Sequence, residues 1–266
     1  MTRFEMQRTL GSEIRMAVGR LDLALHLAWT DTRTRYRRSI LGPFWLVLGT
    51  LIGVGGLGVV WSAVFQVDRE TFIPMMAAGL VAWTLLSACI TEGAAVFYVQ
   101  RELFLNLPTS SLLVSLLLLF RQLINFAHNL VVIVIVLIVY PKHLTWSALL
   151  FIPGLALVAL NLLWVIQLIG YVGARYRDLA PLSIAIMQPL FFITPVLFHP
   201  RQLGSFRFIS ELNPLAHWLA LIRDPLMGTP PPASTWVASG LMALVGWSCA
   251  LLMTAAKRRR LVYWVH

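Results

Sequence analysis

Six long apolar runs constrain this chain more than anything else in it. They fall at approximately 44–66, 72–98, 111–140, 147–173, 179–198 and 234–256, each close to the ~20 residues a helix needs to cross ~30 Å of hydrocarbon. Inside hydrocarbon every backbone N–H and C=O must be satisfied within its own segment, so such runs become helices. The expected fold is an all-α membrane protein with six transmembrane helices over residues 44–256. The second and third runs have length to spare for tilting or projecting. The fifth carries Pro189 and Pro195, so a kink or break is expected there. The chain is 59% apolar and 12% charged, which excludes an ordinary soluble domain and a disordered one.

The basic residues set the orientation, because positive charge stays on the cytoplasmic side. With both termini inside, Arg3, Arg8, Arg15, Arg20, Arg33, Arg35, Arg37, Arg38, Arg101, Arg121, Arg175, Arg177, Lys257, Arg258, Arg259 and Arg260 lie on or near the cytoplasmic face. Only Arg69, Lys142, Arg201, Arg207 and Arg223 remain outside. The net charge of +10 is therefore read as topology and contact with membrane lipids, not as a nucleic-acid surface. Residues 1–43 form a cytoplasmic N-terminal segment with no secretory signal, and residues 257–266 a basic cytoplasmic tail. Ile14, Val18, Leu21, Leu25 and Trp29 share one helical face, which suits a helix lying in the membrane interface.

Polar groups at membrane depth are costly and mark packing or function. Arg121, Asn125, His128 and Asn129 in the third run fall on one helical face, which either lines a hydrated path or hydrogen-bonds to neighbouring helices. Glu92 and Arg121 are expected to pair across the second and third runs. Gly49, Gly53 and Gly56 make a small-residue face for close packing within the subunit or between two copies. The formal match to a dinucleotide fingerprint at residues 53–58 lies inside a membrane helix, so it has no phosphate to bind. Cys89 and Cys249 are too few for a disulfide framework, and no histidine or carboxylate grouping has metal-ligand spacing. No metal or catalytic site is expected.

Two connections stand apart. Residues 99–110 combine Arg101 and Glu102 with exposed-looking Leu103, Phe104 and Leu105, then a proline and a Ser/Thr cluster. This composition suits a short docking helix, or an amphipathic loop on lipid. Residues 203–228 are too long for a hairpin and too apolar for a solvated loop. Asn213-Pro214 and Arg223-Asp224-Pro225 divide them, so two short helices dipping into the outer leaflet are expected. Arg223 and Asp224 would then either fix the second helix or merely cap a surface turn.

Three separated motifs carry a family resemblance. They are Arg35-Tyr36-Arg37-Arg38-Ser39-Ile40-Leu41-Gly42-Pro43-Phe44-Trp45, Arg175-Tyr176-Arg177-Asp178-Leu179, and Leu212-Asn213-Pro214-Leu215 with Ile222-Arg223-Asp224-Pro225-Leu226. In order along the chain they resemble the membrane subunit of polysaccharide-exporting ABC-2 type transporters, which move O-antigen, capsule and teichoic acid polymers. The resemblance implies a multi-pass half-transporter of the bacterial inner membrane that pairs with a second copy of itself and with two copies of a cytoplasmic ATPase subunit. It also implies an interfacial N-terminal helix at 12–32, a coupling helix at 99–110 using Arg101, Glu102, Leu103 and Phe104, and external gate helices at 203–228 held by Asn213, Pro214, Arg223 and Asp224. The implied substrate is a lipid-linked glycan.

The chain has no G-x-x-x-x-G-K-[ST] loop, so ATP and Mg are expected to be handled by the partner and no cofactor by this chain. A sugar path calls for aromatic faces and hydrogen-bonding groups. Trp45, Trp83, Glu92, Tyr98, Arg121, Asn125, His128 and Asn129 are the candidates. A drug or lipid exporter of the same architecture is the alternative. A secondary transporter is disfavoured because Glu92 is the only membrane-embedded acid and no internal repeat is seen.

Overall fold

The computed structural model describes residues 10–265 apart from Tyr36, Arg38, Pro43, Phe65, Leu107, Pro108 and Leu144. Part of the first resemblance motif therefore lies outside the described residues. Every regular element among them is helical. Five helices are long and apolar enough to cross a membrane: α3 (Phe44–Val64), α4 (Arg69–Gly93), α7 (Ser111–Val139), α8 (Phe151–Arg175), which a 3₁₀ turn at Trp146–Leu150 precedes, and α12 (Ala233–Val265).

The fifth apolar run is shorter than its hydropathy suggests. Helix α9 covers Leu179–Ile193, 15 residues, or ~22 Å at the α-helical rise. It stops at Thr194, which takes extended backbone angles, because the residue before a proline is disfavoured in the helical region. The second run also ends early. Helix α4 closes at Gly93, and the chain turns through Ala94 and Ala95 into the four-residue α5 (Val96–Val99). Helix α6 (Arg101–Asn106) is then all that the 99–110 segment contributes as helix among the described residues. Conversely, the basic cluster Lys257–Arg260 is not a separate extension, since α12 runs through it to Val265.

The N-terminal segment forms two helices, α1 (Leu10–Val18) and α2 (Leu21–Arg35), parted at Gly19-Arg20. The expected apolar face, Ile14, Val18, Leu21, Leu25 and Trp29, points away from the protein and is exposed. Flanking it is a stripe of small residues. Ala17, Ala24 and Ala28 are fully buried, with α2 laid along α7. Large apolar groups are thus left exposed by the subunit, and small ones allow the close helix contact.

Helices α4, α7 and α8 form the centre, with α3 and α12 outside them. Between α9 and α12, a 3₁₀ segment (Pro200–Phe206) leads to α10 (Arg207–Leu212) and α11 (Pro214–Leu226). Helix α11 buries Leu215, Trp218, Leu219, Leu221 and Ile222 against α4, α8 and α12. Two close approaches explain how it fits. A side chain at Gly154 would collide with the Leu221 carbonyl, and one at Gly79 with the Val196 carbonyl.

Candidate functional site

Helix α4 places Trp83, Thr84, Ser87, Thr91 and Glu92 along one side, where they face Gln188 and Phe191 of α9 across a groove of about 630 Å³. The spacing 84, 87, 91 keeps the three hydroxyls on one helical face. Each donates back to its own helix: Thr84 to the Val81 carbonyl at 2.8 Å, Ser87 to Trp83 at 2.8 Å and Thr91 to Ser87 at 2.9 Å. Their donors are thereby satisfied in an apolar setting, while oxygen lone pairs remain for a guest in the groove. Trp83 and Phe191 meet edge to face at 5.6 Å, and Phe191 meets Phe192 at 5.2 Å. The groove combines aromatic faces, neutral hydrogen-bonding groups and one carboxylate.

Glu92 closes the groove at one end. It pairs with Arg121 of α7, as its sequence position anticipates. Arg121 also lies 3.7 Å from Asp31 of α2, a third member that the sequence did not identify. The Arg121 side chain is 12% exposed and its two carboxylate partners 36% and 39%. One guanidinium therefore ties α2 to both spanning helices.

The remaining candidate path residues do not join this groove. Asn129 is buried and accepts from Thr50 of α3 at 2.8 Å. Its amide donates to the Asn125 carbonyl at 3.2 Å, and Asn125 donates to Gln122 at 3.1 Å. His128 Nδ1 lies 2.7 Å from the Ile124 carbonyl, and its ring meets Phe44 edge-on at 6.1 Å. Asn129 and His128 thus meet α3, while Asn125 bonds within α7. Trp45 is exposed on α3, and Tyr98 lies under the Arg177 guanidinium, 5.9 Å away.

In α6, Arg101 and Glu102 point outward, 58% and 68% exposed and 3.5 Å apart. Phe104, which the sequence suggested was exposed, is buried, and Leu103 is half-buried. Phe104 meets Phe97 at 5.8 Å, and Phe97 meets Tyr171 of α8 at 5.3 Å. Behind this aromatic chain lies a polar network. The Glu13 carboxylate accepts from the Ser111 amide at 3.2 Å, at the start of α7, where a carboxylate also complements the helix dipole. Ser111 Oγ accepts from Tyr171 at 3.0 Å and from Gln167 at 2.9 Å. Gln167 donates on to Thr254 at 3.0 Å and accepts from Ser115 at 2.6 Å. Glu13 and Ser111 are far apart in sequence with no shared periodicity, so no sequence signal links them.

On the opposite side, Asn213 caps α11 by accepting from the Leu215 amide at 3.0 Å. Its own amide donates to Thr194 at 2.9 Å. Pro214 takes the first helical position, where a missing N–H costs nothing. Arg223 is 2% exposed. It donates to the Pro195 carbonyl at 2.5 Å and twice to Asp224, at 3.0 and 2.8 Å. Both ends of α11 therefore grip the turn where α9 stops. This is more than the capping of a surface turn.

Residues 23–227 match the family described as ABC-2 type transporter. The chain is 24% identical over 209 residues to an O-antigen export system permease protein, RfbA, of Klebsiella pneumoniae, covering 77% of this chain and 80% of that one. It is also 25% identical over 250 residues to nodulation protein J of Rhizobium meliloti (strain 1021), covering 89% and 91%. The corresponding protein of Rhizobium leguminosarum bv. viciae is 27% identical over 248 residues, covering 89% and 92%.

Proposed function

Because the chain belongs to the ABC-2 type transporter family, we propose that it is the channel-forming permease of an ATP-driven exporter of a lipid-linked polysaccharide. It is a multi-pass inner-membrane protein and acts as a non-catalytic membrane subunit. The observation that carries the substrate reading is the groove between α4 and α9. Sugars present hydroxyls on their edges and C–H faces between them. Edges suit the oxygens of Thr84, Ser87 and Thr91, and faces suit Trp83 and Phe191. The O-antigen export for which the Klebsiella relative is named agrees with that chemistry.

In this reading both termini are cytoplasmic, and α9 together with the turn at 194–198 makes a sixth crossing. Two copies meet through the outer face of α3, where a side chain at Gly49, Gly53 or Gly56 would meet nothing within 4 Å of the subunit. Arg101 and Glu102 on α6 meet the ATPase partner, which handles ATP and Mg. Helices α10 and α11 form the external gate. Deleting the gene is expected to leave undecaprenyl-linked glycan accumulating on the cytoplasmic side, and Thr84→Val/Ser87→Ala should reduce export at normal protein abundance. Normal glycan export in the deletion strain, with increased sensitivity to drugs, would replace this reading with a drug exporter.

A further inference from the structure

A second cleft, outside the proposed path, lies where α8 and α12 leave the membrane. Its volume is about 380 Å³, and its walls include Tyr171, Arg175 and Tyr176 from the end of α8 and Lys257, Arg260 and Trp264 from α12. Met253, also in the wall, falls with Lys257, Arg260 and Trp264 on one helical stripe at positions 253, 257, 260 and 264. The stripe runs from an apolar residue through two cations to a tryptophan, so apolar wall and positive charge adjoin within one cleft. The Arg175 guanidinium sits 5.8 Å from the Tyr176 ring centre and 5.7 Å from that of Trp264. Stacking of this kind fixes the plane of a guanidinium and leaves its N–H edge for a planar or tetrahedral anion. Among the described residues, no carboxylate forms an ion pair with Arg175, Lys257 or Arg260.

Three converging cations without an internal counter-charge repel one another, and an anion between them removes that repulsion. We propose that this cleft binds the phosphate of an anionic lipid headgroup, with Arg175, Lys257 and Arg260 holding the phosphate oxygens and Met253 and Val172 lying beside the first part of the acyl chains. Basic pockets between spanning helices are a known physical solution for such headgroups. The apolar wall below the cations and the aromatic pair beside them favour a lipid over a free phosphate ion. Tyr171 touches Phe97, and Phe97 touches Phe104 of α6, so the bound headgroup would sit directly behind the segment proposed to meet the ATPase. The site does not depend on what the transporter carries.

The test is native mass spectrometry of the purified full-length permease, with its ATPase partner bound, titrated with short-chain phosphatidylglycerol. Phosphatidylcholine of equal chain length and inorganic phosphate serve as separate arms. Saturable phosphatidylglycerol binding is expected, with phosphatidylcholine and inorganic phosphate both weaker. Lys257→Gln or Arg260→Gln should weaken it about fivefold each and the pair together about thirtyfold, from the usual worth of one cation near an anionic headgroup. Arg259→Gln, an exposed neighbour that is not among the cleft residues, should leave it unchanged. Equal binding of the two lipids, or unchanged affinity in the double variant, would overturn the proposal. Inorganic phosphate binding as tightly as phosphatidylglycerol would overturn its lipid part. Loss of the ATPase partner from the double variant with lipid binding intact would assign the cleft to that protein instead. None of these readouts measures transport, so a wrong substrate assignment leaves the test standing.

Discussion

Arg101-Glu102 and Arg223-Asp224 are the same dipeptide in chemical terms, an arginine followed by an acid, yet they lie in opposite settings. The first pair is more than half exposed on α6, its charged groups 3.5 Å apart. The second has its arginine 2% exposed and engaged in three hydrogen bonds, one of them to the Pro195 carbonyl. An exposed pair contributes roughly 0–1 kcal/mol and is screened by water and salt. A buried arginine cannot be removed without leaving its partners unsatisfied. The α6 pair lies at the surface within reach of another molecule, whereas the α11 pair is committed to holding its own helix against the end of α9.

The largest effect should come from Arg223→Ala. It strands both the Asp224 carboxylate and the Pro195 carbonyl, so a loss of about 3–5 kcal/mol is expected, read as a lowered midpoint of thermal unfolding in detergent. Asp224→Ala should cost less, since Arg223 keeps its bond to Pro195. It should also increase labelling of cysteines placed near residue 213 by an impermeant external reagent. Equal and small losses for both variants would break the contrast between the two pairs.

Within α6 the contrast can be sharpened over three residues. Phe104→Ala removes a buried ring packed on Phe97 and should destabilise by about 3–5 kcal/mol. Arg101→Ala/Glu102→Ala should change stability by no more than about 0.5 kcal/mol while lowering export and partner-stimulated ATP turnover. Unchanged export from the double variant at normal abundance would remove the docking role from this pair.

The smallest effect concerns His199, which precedes the 3₁₀ segment and feels the charge of Arg223. Burial, and then the positive charge of Arg223, hold its pKa below the ordinary histidine value. Its Nδ1 accepts from the Arg201 amide at 3.2 Å, which only the neutral ring can do. A histidine with a lowered folded pKa contributes stability that is present above the unfolded value, about 6.5, and is lost as pH falls through the folded one. Protection of residues 199–206 from hydrogen exchange, taken relative to the intrinsic rate at each pH, should therefore fall on acidification, and His199→Asn, which can still cap, should flatten that dependence.

The sequence by itself determined the helical membrane fold. Hydrocarbon leaves a backbone of this composition no alternative, so runs of adequate length were enough to find α3, α4, α7, α8 and α12. Pro195 likewise announced the end of α9. The Glu92–Arg121 pair was legible because two charges at similar depth in adjacent spans have few other partners. Only the tertiary structure decided which way each face turned. Periodicity aligned Arg121, Asn125, His128 and Asn129 correctly, but a helical face carries no address: His128 and Asn129 meet Phe44 and Thr50 of α3, while Arg121 meets Glu92 and Asp31. Phe104 looked exposed because it lies in a short connection between spans that carries two charges, and Phe97 buried it. Asp31, Glu13 and the hydroxyls of Thr84, Ser87 and Thr91 became informative only once α2, α7 and α9 were in place, since a polar group's role depends on the partner brought to it across the fold.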